Sequence, residues 1–193
     1  MCENFSRYED KENQVAGADV KFTYKDEEYI VDEKASVKYN DLKTFMLELS
    51  FINRNNEIQE GWFTLDGQIN NAYLLMWFDK FSCISGRVVV FVALVRKDKL
   101  NEFMNGKGWT LANLRKKAYR IRYEGDRNFG DLATNECQFG FSENLVERPV
   151  YVKLLREKYL ELADAFWYAP LPDDICVELE ALWKRRKEAK ENS

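Results

Sequence analysis

Between Gly86 and Val95 the chain reads GRVVVFVALV, an almost unbroken run of β-branched and apolar side chains. Such a run is too short to cross a bilayer as a helix and has no polar face to show to water. It suits a central strand of a sheet that is covered on both faces, with helices packed around that sheet. Ala72 to Phe78 repeats the pattern in milder form. At 193 residues, 46% hydrophobic and 32% charged, the chain is long enough for one well-buried core and short for two. The expectation is a single mixed α/β domain over 1–193: a sheet with helices packed around it and a helical extension at about 172–190.

Local patterns fill in the order. The stretch to about Val15 predicts a helix, which Gly17 breaks. Ala18–Tyr24 and Tyr29–Ala35 predict two strands joined by a turn at Lys25–Glu28, and so a hairpin. Thr44–Phe51 alternates, with Phe45, Leu47, Leu49 and Phe51 on one face and Thr44, Met46, Glu48 and Ser50 on the other. Ile58–Thr64 and Tyr73–Phe78 predict further strands. Helical spacing appears at Lys97–Met104, Leu111–Ala118, Val150–Trp167 and Asp173–Ala189, with Pro170 and Pro172 between the last two.

Composition narrows the chemistry. The chain holds no histidine. Ser-His-Asp and Cys-His catalysis, histidine-based metal sites and histidine general bases are therefore excluded. Cys2, Cys83, Cys137 and Cys176 are scattered without a CxxC pair, so free thiols are expected rather than a zinc site or disulfides. The first residues are polar and acidic, unlike a signal peptide, and the reading is a cytoplasmic protein with no membrane partner. Charge is uneven: residues 1–60 hold 8 Lys/Arg against 14 Asp/Glu, and residues 96–127 hold 10 against 4. An acidic region beside a basic one suits a metal site next to a phosphate-binding surface, or an ordinary mixed surface.

The predicted hairpin brings groups of one kind together. Asp19 opens its first strand, and Asp32 and Lys34 share one face of its second, with Glu33 facing away. Two carboxylates and an ammonium would then meet in a small volume. Mg²⁺ takes oxygen ligands in octahedral geometry and usually keeps several waters. Two carboxylates and a main-chain carbonyl could hold it, and Lys34 could position a water or stabilise charge on a phosphate. The alternative is a surface ion pair between Asp32 and Lys34. Glu48 stands either in the site or on an exposed strand face.

Asp19 with Asp32-Glu33-Lys34 on the next strand resembles the D…(D/E)-x-K signature of the PD-(D/E)XK, or restriction-endonuclease-like, nucleases. The lead-in Asn13-Gln14-Val15-Ala16-Gly17-Ala18-Asp19-Val20 is similar to the approach to that motif in several such families. The strand Thr44–Phe51, then Gly61-Trp62-Phe63, Tyr73–Trp77 and the distal segment 141–149, resemble the downstream strands of bacterial and phage members. The likeness touches roughly residues 10–165.

The resemblance implies a restriction-endonuclease-like mixed central sheet flanked by helices. It also implies metal-dependent hydrolysis of phosphodiester bonds, with Mg²⁺ or Mn²⁺ as cofactor. Asp19, Asp32 and the Glu33 position would bind the metal and Lys34 would be the catalytic lysine. Glu12, on the family's first helix, and Glu48 would be further site acids, with Gln14 near them. The lead before Asp19 is short for that helix. The partner expected is nucleic acid, DNA before RNA, gripped by Arg115, Lys116, Lys117, Arg120 and Arg122; a solvated helix face is the competing reading of that run. Lys184–Lys187 reads as a solvated helix end. Many nucleases of this fold pair as homodimers, and the 15% aromatic content could cover such an interface. The second functional expectation is a nuclease-fold protein without activity, binding nucleic acid or protein in a phage or defence setting.

Overall fold

The computed structural model describes residues 2–37, 41–80, 88–125, 137–141 and 148–191. The elements run β1 (Glu3–Arg7), α1 (Lys11–Val15), β2 (Val20–Tyr24), β3 (Glu27–Ala35), β4 (Thr44–Ile52), β5 (Ile58–Glu60), β6 (Ala72–Lys80) and β7 (Val88–Arg96). They continue with α2 (Lys97–Gly106), α3 (Leu111–Tyr119), a π-helical turn (Arg120–Glu124), β8 (Cys137–Phe141), β9 (Val150–Leu155), α4 (Arg156–Leu162), β10 (Ala165–Pro170) and α5 (Asp173–Glu191).

Two sheets form where one was expected. The larger is mixed, in the order β1-β2-β3-β6-β7-β10, and the smaller is β5-β4-β9-β8. In the larger sheet only β3 and β6 run parallel, with Asp32 beside Tyr73 and Lys34 beside Leu75. All pairs in the smaller sheet are antiparallel. The main core lies between the sheets, where Leu47, Leu49, Val152 and Leu154 meet Tyr73, Leu75, Trp77, Ala93 and Val95. Leu100, Met104 and Leu114 from α2 and α3 close the same core. Trp77 donates its indole N–H to the Thr44 carbonyl at 3.1 Å, which satisfies the one polar atom of a fully buried ring.

On its opposite face the larger sheet curls. Trp167 of β10 meets Tyr24 of β2 edge-to-face with centroids 5.9 Å apart, although three strands separate them in the sheet. Val20, Phe22, Tyr29, Val31, Ala72 and Leu94 are buried inside that curl. Further along, Cys176 and Leu179 of α5 cover Phe78 and Val88. Among the described residues no helix is long and apolar enough to cross a membrane.

Four expectations need correction. The N-terminal helix is shorter, because Glu3–Arg7 pairs with β2 as an exposed strand before α1 begins. Ile58–Thr64 is a strand only to Glu60; residues 61–65 form a turn that buries Phe63 and Thr64, with the Thr64 and Leu65 N–H groups both bonded to the Gly61 carbonyl. Val150–Trp167 is not one helix but β9, α4 and β10. The alternation of β4 holds through Leu49 and then slips: Ser50 is buried, since a bulge between Glu48 and Ser50 shifts its pairing with β9. Cys83 and most of the segment 141–149 lie outside the described residues.

Candidate active site

Gly17 (φ +79°) turns the chain from α1 towards β2, in a conformation that disfavours a side chain. Space there is short as well, since a Cβ would stand 3.1 Å from Asn70 Oδ1. Asp19 comes two residues later. Its carbonyl accepts from the Tyr8 N–H of the β1 side and its own N–H donates to the Val31 carbonyl, both at 2.9 Å. The β2–β3 register places Val20 against Val31, which sets Asp19 next to Asp32 across the hairpin. The Asp19 Oδ2 atom accepts from the Glu33 N–H at 2.7 Å.

Asp32 is 2% exposed. Its Oδ1 accepts from Lys34 Nζ at 2.5 Å, while Oδ2 is buried and finds no hydrogen-bond partner among the described residues. Burial pushes the Asp32 carboxyl up to about 6. Lys34 pulls it back, and the neighbouring Asp19 carboxylate raises it again. The two carboxylates therefore sense one another directly, and removing a proton from Asp32 is held back by its surroundings.

The strands and loops beyond the hairpin supply groups that the sequence alone did not single out. Tyr73, fully buried and in register with Asp32, brings its hydroxyl to the same region, near the Asn70 amide. Burial first, then the Asp32 charge, raise its pKa and keep it protonated. Trp62 packs on Tyr73 with centroids 5.1 Å apart, and Lys34 Nζ lies 5.5 Å from the Trp62 ring. A second ammonium enters from the start of α2. Lys97 Nζ donates to Gln68 Oε1 at 2.8 Å and to Asn70 Oδ1 at 3.1 Å, and stands 5.9 Å from the centre of the Tyr73 ring. Burial lowers its pKa and the field of Asp32 opposes that. A lysine in the first turn of a helix faces the positive end of the dipole, so its placement there needs a separate cause. That misplaced charge is the one signal in the sequence that could have found it.

The other expected residues mostly stand apart from this cluster. Glu33 faces away from Asp32, and its carboxylate takes two bonds from Arg7, at 2.7 and 3.2 Å. It brings its backbone N–H to the site, and its side chain stands opposite. Glu12 is exposed on α1. Gln14 donates to the Tyr8 carbonyl at 3.0 Å. Glu48 lies on β4 of the smaller sheet, half-buried, where its charge acts on Arg122.

Of the basic run, Arg115 is tied to the Thr64 carbonyl and to Asp66, and Arg122 to Ser50 and the Arg148 carbonyl. Arg120 pairs with Glu124 at 3.4 Å, and Lys117 is half-buried. Lys116 is exposed, without an ion pair among the described residues. Arg115 thus anchors α3 to the loop that carries Trp62.

Two converging carboxylates, one with a bare buried oxygen, suit a hard divalent cation that keeps most of its water. Among the described residues no three acidic or thiol side chains gather to form a fuller cage. Compared with family models, curated proteins and solved structures, the chain gives no match.

Proposed function

We propose that the protein is a metal-dependent nuclease of the restriction-endonuclease-like type, hydrolysing phosphodiester bonds of nucleic acid, with DNA the first substrate to try. The observation that carries this is the meeting of Asp19 and Asp32 beside Lys34, with Asp32 Oδ2 buried and unpartnered among the described residues. A bare buried carboxylate oxygen is costly unless something occupies it. Asp19 and Asp32 would hold Mg²⁺ or Mn²⁺, with main-chain carbonyls or water completing the shell. The ion would lower the pKa of a bound water and offset charge on the phosphate. Hydrolysis forms a bond from water oxygen to phosphorus and breaks one phosphorus–oxygen ester bond. Lys34 would turn from Asp32 Oδ1 to the attacking water or a phosphate oxygen once the cation takes up the carboxylate. Trp62, against Lys34 and Tyr73, limits the directions that ammonium can take.

The test is cleavage of single- and double-stranded DNA and RNA with Mg²⁺ or Mn²⁺. Asp32→Asn and Lys34→Met should each lower the rate by about 10²-fold or more with circular dichroism unchanged. Failure to cut any of these substrates with either metal overturns the reading. One observation favours the inactive alternative: Lys34 is closed onto Asp32 in an ion pair. Salt-sensitive binding without cleavage would establish that version.

A further inference from the structure

The geometry points to Lys97 as a second phosphate-binding cation of the candidate active site, placed to contact the nucleic-acid phosphate undergoing cleavage. This role rests on the nuclease reading above and goes beyond the motif residues.

The company Lys97 keeps is unusual for a lysine. Its Nζ is held by two amide oxygens, Gln68 Oε1 and Asn70 Oδ1, and both are neutral. Among the described residues it forms no ion pair. An ammonium has three donors, and these two bonds leave one unused. Asn70 is itself 4% exposed and fixed by donating to the Ala72 carbonyl at 3.1 Å, so the lysine is aimed by a rigid clamp. Gly17 packs against the same two amides, which links the clamp to the turn that delivers Asp19. A half-buried lysine whose hydrogen bonds go only to neutral groups, at the unfavourable end of a helix dipole, gains from an anion placed at its remaining donor.

Charge balance points the same way. In the site as it stands, Lys34 pairs with Asp32, the field of Asp32 also reaches Lys97, and Arg7 pairs with Glu33 within the field of Asp19. When Asp19 and Asp32 commit their charge to a divalent cation, both lysines are left uncompensated. A phosphodiester carries one negative charge, and attack by hydroxide gives a transition state with two. Lys34 alone would balance half of that. Lys97, which reaches the Tyr73 ring from the start of α2, supplies the other half. The buried Tyr73 hydroxyl, which burial keeps protonated, is a further donor.

Fluorescence anisotropy with labelled DNA oligonucleotides tests the binding role without cleavage, using the Asp32→Asn protein as background. Adding Lys97→Gln should weaken binding and reduce the slope of log affinity against log salt by about 0.9, the release of one counterion. Lys97→Arg should keep the slope. In the otherwise native protein, Lys97→Gln should lower cleavage by about 10²-fold while Mn²⁺ affinity, measured by calorimetry, stays within about threefold. As a reading that needs no folded variant, the Lys97 ¹⁵Nζ resonance of the native protein should shift when oligonucleotide is added. An unchanged salt slope, an unshifted resonance and cleavage within about threefold of native would overturn the role of Lys97 and leave the nuclease reading standing. A native protein that neither binds nor cuts nucleic acid would overturn both.

Discussion

The backbone N–H of Glu33 donates to Asp19 Oδ2 at 2.7 Å, while the Glu33 carboxylate is turned to Arg7 on the opposite side of the sheet. The residue between Asp32 and Lys34 therefore fixes Asp19 through its main chain. Glu33→Gln should leave Mn²⁺ affinity within about threefold, and its stability cost should stay below about 1 kcal/mol, as for other exposed ion pairs. Calorimetry and a thermal melt check both. A tenfold loss of metal affinity would return the Glu33 side chain to the ligand set.

Asp32 sets a pH dependence with a definite sign. Its carboxyl is raised to about 6 from an ordinary value of 3.8. The folded state therefore binds more protons than the unfolded state between those values, and the folded protein loses stability as pH rises through that window. The loss is at most about 3 kcal/mol. Asp32→Asn should lower cleavage by about 10²-fold or more and yet melt higher than the native protein at pH 8, by several degrees, with the difference shrinking towards pH 4. Metal affinity runs the other way. Below about pH 6 it should fall roughly tenfold per pH unit, as the cation competes with a proton for Asp32.

The basic run divides by what each side chain touches. Arg115 and Arg122 are engaged with Thr64, Asp66, Ser50 and the Arg148 carbonyl, so their loss should act on folding. Arg115→Ala and Arg122→Ala should each cost about 1–3 kcal/mol in denaturant unfolding. Lys116→Ala should leave stability within about 0.5 kcal/mol. It should reduce the salt slope of nucleic-acid binding if α3 lies on the phosphate path. Equal stability effects for Arg115→Ala and Lys116→Ala would contradict this division.

Gly61 lies against β4 with no room for a methyl group. A Cβ there would stand 2.3 Å from the Glu48 carbonyl oxygen, which is backbone and cannot swing aside. Gly61→Ala should destabilise by about 2–4 kcal/mol and displace Trp62. Intrinsic fluorescence, with a Trp62→Phe protein isolating the Trp62 contribution among the five tryptophans, and the cleavage rate report that movement together. An alanine protein of native stability would show that the turn can shift at little cost.

The hairpin at the centre of the site was legible because its signals are local. Gly17, the alternation of Val20 and Phe22, and the turn at Lys25 and Asp26 all lie within a short span. Those two turn residues adopt positive φ (52° and 63°), as a tight hairpin turn demands. β1 was not legible, since each of its residues is exposed and it exists only by pairing with β2. β9 was misread because Val150–Leu155 runs straight into the helix Arg156–Leu162. The inward Val150, Val152 and Leu154 do carry the two-residue period. Tyr73 and Lys97 escaped because long-range pairing brings them to Asp32, and Asn70 because it acts through Lys97; spacing along the chain displays neither.

That long-range pairing also sets a clock. The chain leaves β3, lays down β4 and β5 in the other sheet, and only then returns with β6 parallel to β3. A hairpin such as β2–β3 closes in about 1–10 μs, whereas parallel pairing across a long crossover is intrinsically slow. A refolding chain therefore joins its two aspartates early. Asp19, Asp32 and Lys34 thus share one local hairpin, whereas Tyr73 and Lys97 join them only when β6 docks on β3.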